Sequence, residues 1–424
     1  MTDHFDVAIV GGGIAGLTAA LYLAKGGKKV VVLELQDQLG GRAITNKKNG
    51  VSFNLGSHAL YAGDAYHIFH ELQLNQDIFR KVDEFHPYGI WKENIHYFPA
   101  STGFLMKSQL LSVSDKVKFG ALLMKILRLD TASMPSVSLR TWMENNVRSP
   151  MIRHLLYVMA RGGTYVQAPD LQVAGPLFRQ MQRSITGVYY IKQGWGALVC
   201  ELTQQARRLG VALVTGRKVA SVDHMGGRVY SVTCTNKEHI PASQVILTTP
   251  PKVTSKLVPF SEQTSLKTWE EQAIPITAAC LDIGLRRLPS SKHQFVYGVD
   301  QPVMMVNASR IDGLELSEQD DVQLFQMIKF QNENCDPQQD RKELEDALDL
   351  VQPGWRREVV TEQFLPRMTV VHDFMHMKRK ENPGPVVPEI RGLYVAGDWA
   401  THGEYLVDGA AASAKRAAQH ILTQ

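Results

Sequence analysis

The chain has 424 residues, 44% of them hydrophobic and 21% charged, an ordinary globular composition with length enough for two domains that each bury a core. A formal net charge of +4 is too small for nucleic-acid binding, which needs a clustered basic stripe. The cysteines (Cys200, Cys234, Cys280 and Cys335) are scattered with no CxxC pair, which argues against zinc and a redox dithiol and suits a reducing cytoplasm.

In chain order, residues 5–10 read as a short buried strand that three glycines break. Ile14, Leu17, Leu21 and Ala24 then recur at helical spacing, and Gly26-Gly27 ends that helix. Residues 29–35 form a second, nearly all-apolar strand, as expected in a parallel sheet covered on both faces. This opening is a βαβ unit. The short apolar run from Val7 to Val10 follows two aspartates and does not read as a signal peptide. No apolar run approaches the ~20 residues needed to cross a bilayer.

Residues 76–188 are mostly helical in pattern, with Phe119, Leu122, Leu123 and Ile126 on one face. Strand-like stretches return at 211–215, 229–235 and 245–248, and an irregular region follows over 256–387. The chain closes with a buried strand within 392–398 and a helix from about Gly409 to Leu422. The expected fold class is α/β: a discontinuous Rossmann-like domain (1–75, 189–255 and 388–424) with an inserted mixed α+β substrate domain (76–188 and 256–387).

Gly11-Gly12-Gly13-Ile14-Ala15-Gly16 fits G-x-G-x-x-G between a strand and a helix. Gly11 permits the tight turn, Gly13 lets the backbone approach a pyrophosphate, and Gly16 lets helix and strand pack. Unpaired amides at the start of the helix, including those of Ile14 and Ala15, then face the phosphates. Glu34 ends the second strand, 18 residues past Gly16, where a carboxylate accepts from ribose hydroxyls and repels an additional phosphate. The pattern predicts a bound dinucleotide.

Further segments resemble the flavin superfamily of monoamine oxidases, protoporphyrinogen oxidases and phytoene-type desaturases. Leu39-Gly40-Gly41-Arg42 is similar to its second glycine motif, which places an arginine beside the pyrophosphate. Phe53 to His58, including Gly56 and Ser57, resembles the segment that passes the flavin ring. Tyr190 to Leu198, with Gly194-Trp195-Gly196, is similar to the glycine pair before the helix that returns to the cofactor domain. The stretch ending at Val219 resembles the strand whose valine backbone meets the adenine. Val395 to Asp398, then Leu406 to Ala410, resembles the closing motif. There Gly397-Asp398 serves the ribitol, and the helix after Leu406-Val407 points its start at the flavin. The resemblance implies FAD held in an extended pose. It also implies non-covalent attachment, because no cysteine lies in the closing region where covalent relatives anchor the flavin. Asp408 would be unfavourable against reduced flavin and is expected to turn back and cap its own helix.

The implied activity is dehydrogenation or desaturation of an apolar, isoprenoid-like substrate by hydride transfer to flavin, with an unidentified electron acceptor. Amine oxidation is the alternative, with Trp195, Trp399 and Tyr405 able to furnish an aromatic cage; protoporphyrinogen oxidation is another. Rab GDP-dissociation inhibitors share the fold as prenyl-binding proteins without redox chemistry, but the intact fingerprint, Glu34 and Gly397-Asp398 argue against that reading. No catalytic residue is assigned. By motif position His58 and Tyr405 are the polar candidates nearest the ring, with packing or hydrogen bonding as the first reading of each. His372 and His376 stand four apart, but no metal is expected, since no HExxH is present. The basic amphipathic stretch from Lys116 to Arg128 reads first as an ordinary helix, with peripheral membrane contact as its second reading.

Overall fold

The computed structural model describes residues 4–83, 86–318, 322–332 and 335–424. Two seven-stranded sheets organise it. In the first, Ala212–Val214, Val30–Leu33, Phe5–Val10, His239–Leu247 and Leu393–Val395 lie parallel. The strand His239–Leu247 is long enough to serve two partners. Its first residues pair antiparallel with Arg228–Cys234, and those from Ala242 onward pair with Phe5–Val10. Val219–Met225 completes the antiparallel edge.

Side-chain alternation explains why the opening strand is apolar throughout. Val7 and Ile9 pack on one face against the helices Ile14–Lys25, Trp195–Arg208 and Leu406–Leu422. Ala8 and Val10 pack on the other against Val219, Leu257, Trp269 and Trp399. The observed mixed architecture with a parallel sheet is the expected α/β class.

The second sheet runs Val359–Val371, Ile276–Leu285, Gln323–Phe330, Val303–Asn307, Phe295–Gly298, Tyr88–Trp91 and Asn94–Tyr97. All its pairings are antiparallel except Phe295–Gly298 with Tyr88–Trp91. Leu281, Ile283 and Leu285 face the helix Pro337–Val351. Ala278 and Cys280 face a cluster built on Val113–Leu127, Pro150–Thr164 and Ala174–Thr186.

This sheet corrects the expected irregular region over 256–387. Its central strands are buried on both faces, so no polar alternation marked them as strands. The segment 76–188 likewise begins with three strands before its helices. The last helix starts at Leu406, three residues earlier than expected.

Candidate flavin site

The strand Phe5–Val10 ends at Gly11, whose φ of +108° disfavours a side chain. A Cβ there would also lie 2.4 Å from Thr248 Oγ1, and this hydroxyl donates to Val10 O at 2.9 Å. At Gly16 a Cβ would stand 2.0 Å from Gly11 O, so helix and turn touch backbone to backbone. Gly13 is different. A Cβ there meets only Gly40 O, at 3.9 Å, and one on Gly41 would lie 3.5 Å from Gly13 Cα. Gly13 is the N-cap of Ile14–Lys25 and offers no side-chain cap, which leaves the first amides of that helix, from Ile14 and Ala15, open to an anion.

Glu34 is buried just past its strand. Its Oε2 accepts from Gly12 N at 2.7 Å and its Oε1 from Gln36 N at 2.9 Å. A carboxylate has about four acceptor positions, so capacity for ribose hydroxyls remains. Arg217 N donates to Glu34 O at 2.8 Å, which brings the start of the Val219 strand alongside.

Arg42 reaches across to the closing motif. Its Nη1 lies 2.8 Å from Asp398 Oδ2 and donates to Val370 O at 2.7 Å. His372 adds its backbone N–H to Asp398 Oδ2 at 3.0 Å and its ring Nδ1 to Oδ1 at 3.3 Å. Burial alone would raise the Asp398 carboxyl, but Arg42 and His372 outweigh it and hold the group well below the usual carboxylate range. Gly397, at φ +138°, is tied to the last helix through Ser413 Oγ, which accepts the Gly397 N–H at 2.9 Å. His372 therefore belongs to the site by a route that motif reading did not show. It follows a strand that ends at Val371, so the four-residue spacing to His376 is not helical. His376 is buried beside Asp373, and no group of metal ligands occurs among the described residues.

Asp408 corrects a second expectation. Tyr405, not Asp408, is the N-cap of Leu406–Leu422, and it caps without a side-chain bond. Leu406 at φ +58° and Val407 open this helix. Asp408 instead accepts from Ala65 N at 2.8 Å and so caps the helix Asp64–Glu71 from the far end of the chain. Arg183 bridges Asp408 at 3.3 Å and Asp64 at 2.6 Å. Burial nevertheless raises the Asp408 carboxyl to about 7, against the pull of Arg183.

Where the two sheets meet, Gly56 (φ +84°) is pressed by Met368 and Cys280, whose atoms would stand 2.7 and 2.9 Å from a Cβ. Ser57 O accepts the Tyr165 hydroxyl at 2.9 Å. His58 Nδ1 lies 2.8 Å from Gly56 O, and its ring sits 5.1 Å from that of Trp195. Burial lowers the His58 pKa, so the neutral imidazole must carry its proton on the nitrogen that faces a carbonyl. Tyr405 is buried against Val166 and Phe374, and burial pushes its hydroxyl pKa up. Trp195, Trp399 and Tyr405 are buried and pack in three different clusters.

Motif reading missed a polar set on the inner face of the second sheet. Asp282 pairs in register with Gln326 on one side and Gln363 on the other. Gln363 Nε2 donates to Asn54 O at 2.8 Å and approaches Asp282 Oδ2 at 3.4 Å, while Asp282 Oδ1 and Gln326 Nε2 are buried without a partner. Burial raises Asp282 to about 8. Tyr165 lies close enough to feel the Asp282 carboxyl as well as Tyr61 and Tyr190, and burial pushes Tyr190 up to about 12. Only same-face periodicity within the strands could have found Asp282. An open cleft of about 590 Å³ bordered by Leu39, Thr45, Gly196 and Glu315 touches two of the glycine motifs but includes none of Gly13, Glu34, Arg42 and Asp398, and is not assigned to a cofactor.

The flavin containing amine oxidoreductase family matches residues 14–278 and 307–422. Phytoene dehydrogenase of Streptomyces griseus is 28% identical over 287 residues, 58% of this chain and 54% of that protein. The chain thus spans about half the length of that relative. 4,4'-Diapolycopene oxygenase of a Methylomonas species is 22% identical over 71% of this chain and 67% of its own length. Among solved structures, an oxidoreductase from Methanosarcina mazei superposes with a TM-score of 0.77 at 19% identity, covering 97% of this chain and 99% of its own. Cyclohexylamine oxidase of Brevibacterium oxydans superposes with a TM-score of 0.69 at 15% identity, covering 99% of each chain. These likenesses show a shared fold. With the family match extending over both segments, this chain belongs to the flavin containing amine oxidoreductases and is an enzyme of that family.

Proposed function

We propose that the chain binds FAD non-covalently and dehydrogenates an apolar, isoprenoid-like substrate. The observation that carries the cofactor assignment is the facing pair Gly13 and Gly41, which leaves room beside an uncapped helix start with Glu34 on one side and Arg42–Asp398 on the other. Segments 1–75, 189–255 and 388–424 would hold the cofactor, and 76–188 and 256–387 would face the substrate.

In this reading the open amides and Arg42 receive the pyrophosphate, Glu34 the ribose and Asp398 the ribitol. Gly56, Ser57, Leu406 and Val407 border the ring, and Val219 lies towards the adenine. A bound flavin supplies the redox chemistry by accepting a hydride from a substrate C–H bond. The protein's share is position and dryness. Met368, Cys280 and Leu406 continue an apolar cluster into the helices Val113–Leu127, Pro150–Thr164 and Ala174–Thr186, which supports a greasy substrate. His58 and Tyr405 are assigned holding roles, since the first is bound to a carbonyl and the second is enclosed by packing. Burial pushes the Cys280 thiol up, so it is a poor nucleophile for attachment.

A second reading, oxidation of a small polar or amine substrate, is favoured by the tyrosines gathered around Ser57 and Gly162. Acid precipitation of the purified protein tests the cofactor: FAD in the supernatant supports the assignment, whereas flavin held in the pellet or a release of FMN overturns it. Anaerobic mixing with polyene hydrocarbons and, separately, with diamines tests the substrate. Bleaching of the flavin by diamines alone would sink the apolar reading.

A further inference from the structure

The helix Val113–Leu127 is apolar on two faces. Its inner face carries Phe119 and Ile126, fully buried in the cluster that also includes Ala278 and Cys280. A surface helix normally turns polar residues outward. Here Val113, Val117, Met124 and Leu127 are 80%, 72%, 49% and 37% exposed. At 100° per residue these four and Gly120 fall on one narrow stripe about 20 Å long. Met106, 69% exposed on the preceding helix Thr102–Lys107, joins its first end, where Lys116 Nζ donates to Met106 O at 2.7 Å.

Scattered single apolar residues on a surface are ordinary, but a contiguous stripe of five is not. Lys116 and Arg128 flank it on the helix and Lys107 lies beside Met106, while Lys118 and Lys125 stand more than about 100° round from its centre; together these five face two acids, Asp115 and Asp130, between residues 104 and 130. Asp115 is matched by Lys118 at 3.6 Å, and its own N–H is capped by Ser112. No helix among the described residues is long and apolar enough to cross a membrane.

We propose that this stripe docks the enzyme on an anionic lipid bilayer, with the helix lying in the interface plane. Val113, Val117, Met124, Leu127 and Met106 enter the acyl boundary while the basic side chains meet lipid phosphates. The charge on the borders selects anionic lipid over an uncharged surface, each basic side chain adding about fivefold in affinity. The inner face of the same helix opens onto the apolar cluster that extends to Met368 and Leu406 beside the flavin segment, so docking would place that cluster next to the lipid. Docking stands apart from the substrate proposal, because it is read without turnover.

The test is sedimentation of the flavin-loaded full chain with phosphatidylcholine vesicles, with and without phosphatidylglycerol. Wild type is expected to pellet with the anionic vesicles and to release as salt rises. Val113→Ser/Val117→Ser/Met124→Ser should bind about tenfold or more weakly with unchanged melting, since all three side chains are exposed. Lys107→Gln/Lys116→Gln/Arg128→Gln should lose the preference for phosphatidylglycerol. The proposal is overturned if wild type stays in solution with both vesicles, or if the serine variant pellets as wild type does. A concentration-dependent dimer that the serine variant abolishes, without vesicle binding, would also overturn it and make the stripe a contact between copies of the chain.

Discussion

The two sheets handle polarity in opposite ways. In the parallel sheet the strands are apolar on both faces, and the polar work falls to the loops at their ends, where Gly11 to Gly16, Glu34 and Asp398 act largely with backbone groups. In the antiparallel sheet the polar groups sit within the strands, as Asp282, Gln326 and Gln363 do across three neighbours. Loop sites are suited to a constant, phosphate-bearing ligand that backbone amides can read. Side chains on a sheet face are free to change with the substrate, and each one left unmatched in the interior is costly.

The sharpest way to break this contrast is to add a side chain where backbone meets backbone. Gly16→Val forces a Cβ against Gly11 O and is expected to abolish flavin retention. Stability should fall by about 1–3 kcal/mol or more, read by thermal melting and the visible absorbance of the purified protein.

Next in size is Asp398→Asn, which leaves Arg42 and His372 without their carboxylate. Flavin affinity should drop about tenfold or more, as titration of apoprotein would measure, with the stability loss moderated by the partial exposure of Arg42. Because the folded-state pKa of Asp398 is depressed, its contribution is complete above the unfolded value of about 3.9 and is lost as pH falls through the folded one. The gap between wild type and variant should therefore be constant near neutrality and close in acid.

Asp282→Asn probes the other sheet with the opposite sign. A carboxyl raised to about 8 favours the protonated fold, so wild-type stability should decline as pH climbs from about 4 towards 8. Asparagine should make that decline shallower, leaving the share due to Asp408, and melt higher than wild type in mild alkali. A parallel pH dependence of the two proteins would refute the assignment of Asp282 as a buried, unmatched acid.

The smallest effect is expected from Tyr165→Phe, which deletes the hydrogen bond to Ser57 O and should cost about 1 kcal/mol. Its use is diagnostic: a changed KM for substrate with flavin binding intact would place the tyrosines on the substrate side of the junction.

The same contrast explains what could be read in advance. The glycine turn, Glu34 and the buried opening strand were legible because each meets a local demand of backbone geometry within a few residues. His372 was not, since its role arises only when the end of Val359–Val371 is brought against Asp398. Asp408 was placed in the right element but given the wrong partner, because the helix start that it serves lies at the other end of the sequence. The long strand Ile276–Leu285 was missed altogether: burial on both faces removed the alternation that marks a strand.

The trans cap made by Asp408 carries one more consequence. The opening helix Ile14–Lys25 packs on the closing helix Leu406–Leu422, and the helix start at Ala65 stays without its acceptor until Asp408 arrives. Contacts that span almost the whole chain form late, because loop closure over that distance must come first. During synthesis the first glycine turn emerges early but has neither Asp398 nor the final helix beside it. The nascent chain therefore carries an apolar flank on its first βαβ unit until Leu406–Leu422 has been made, and only then do Asp398 and Asp408 meet their partners from the opening segments.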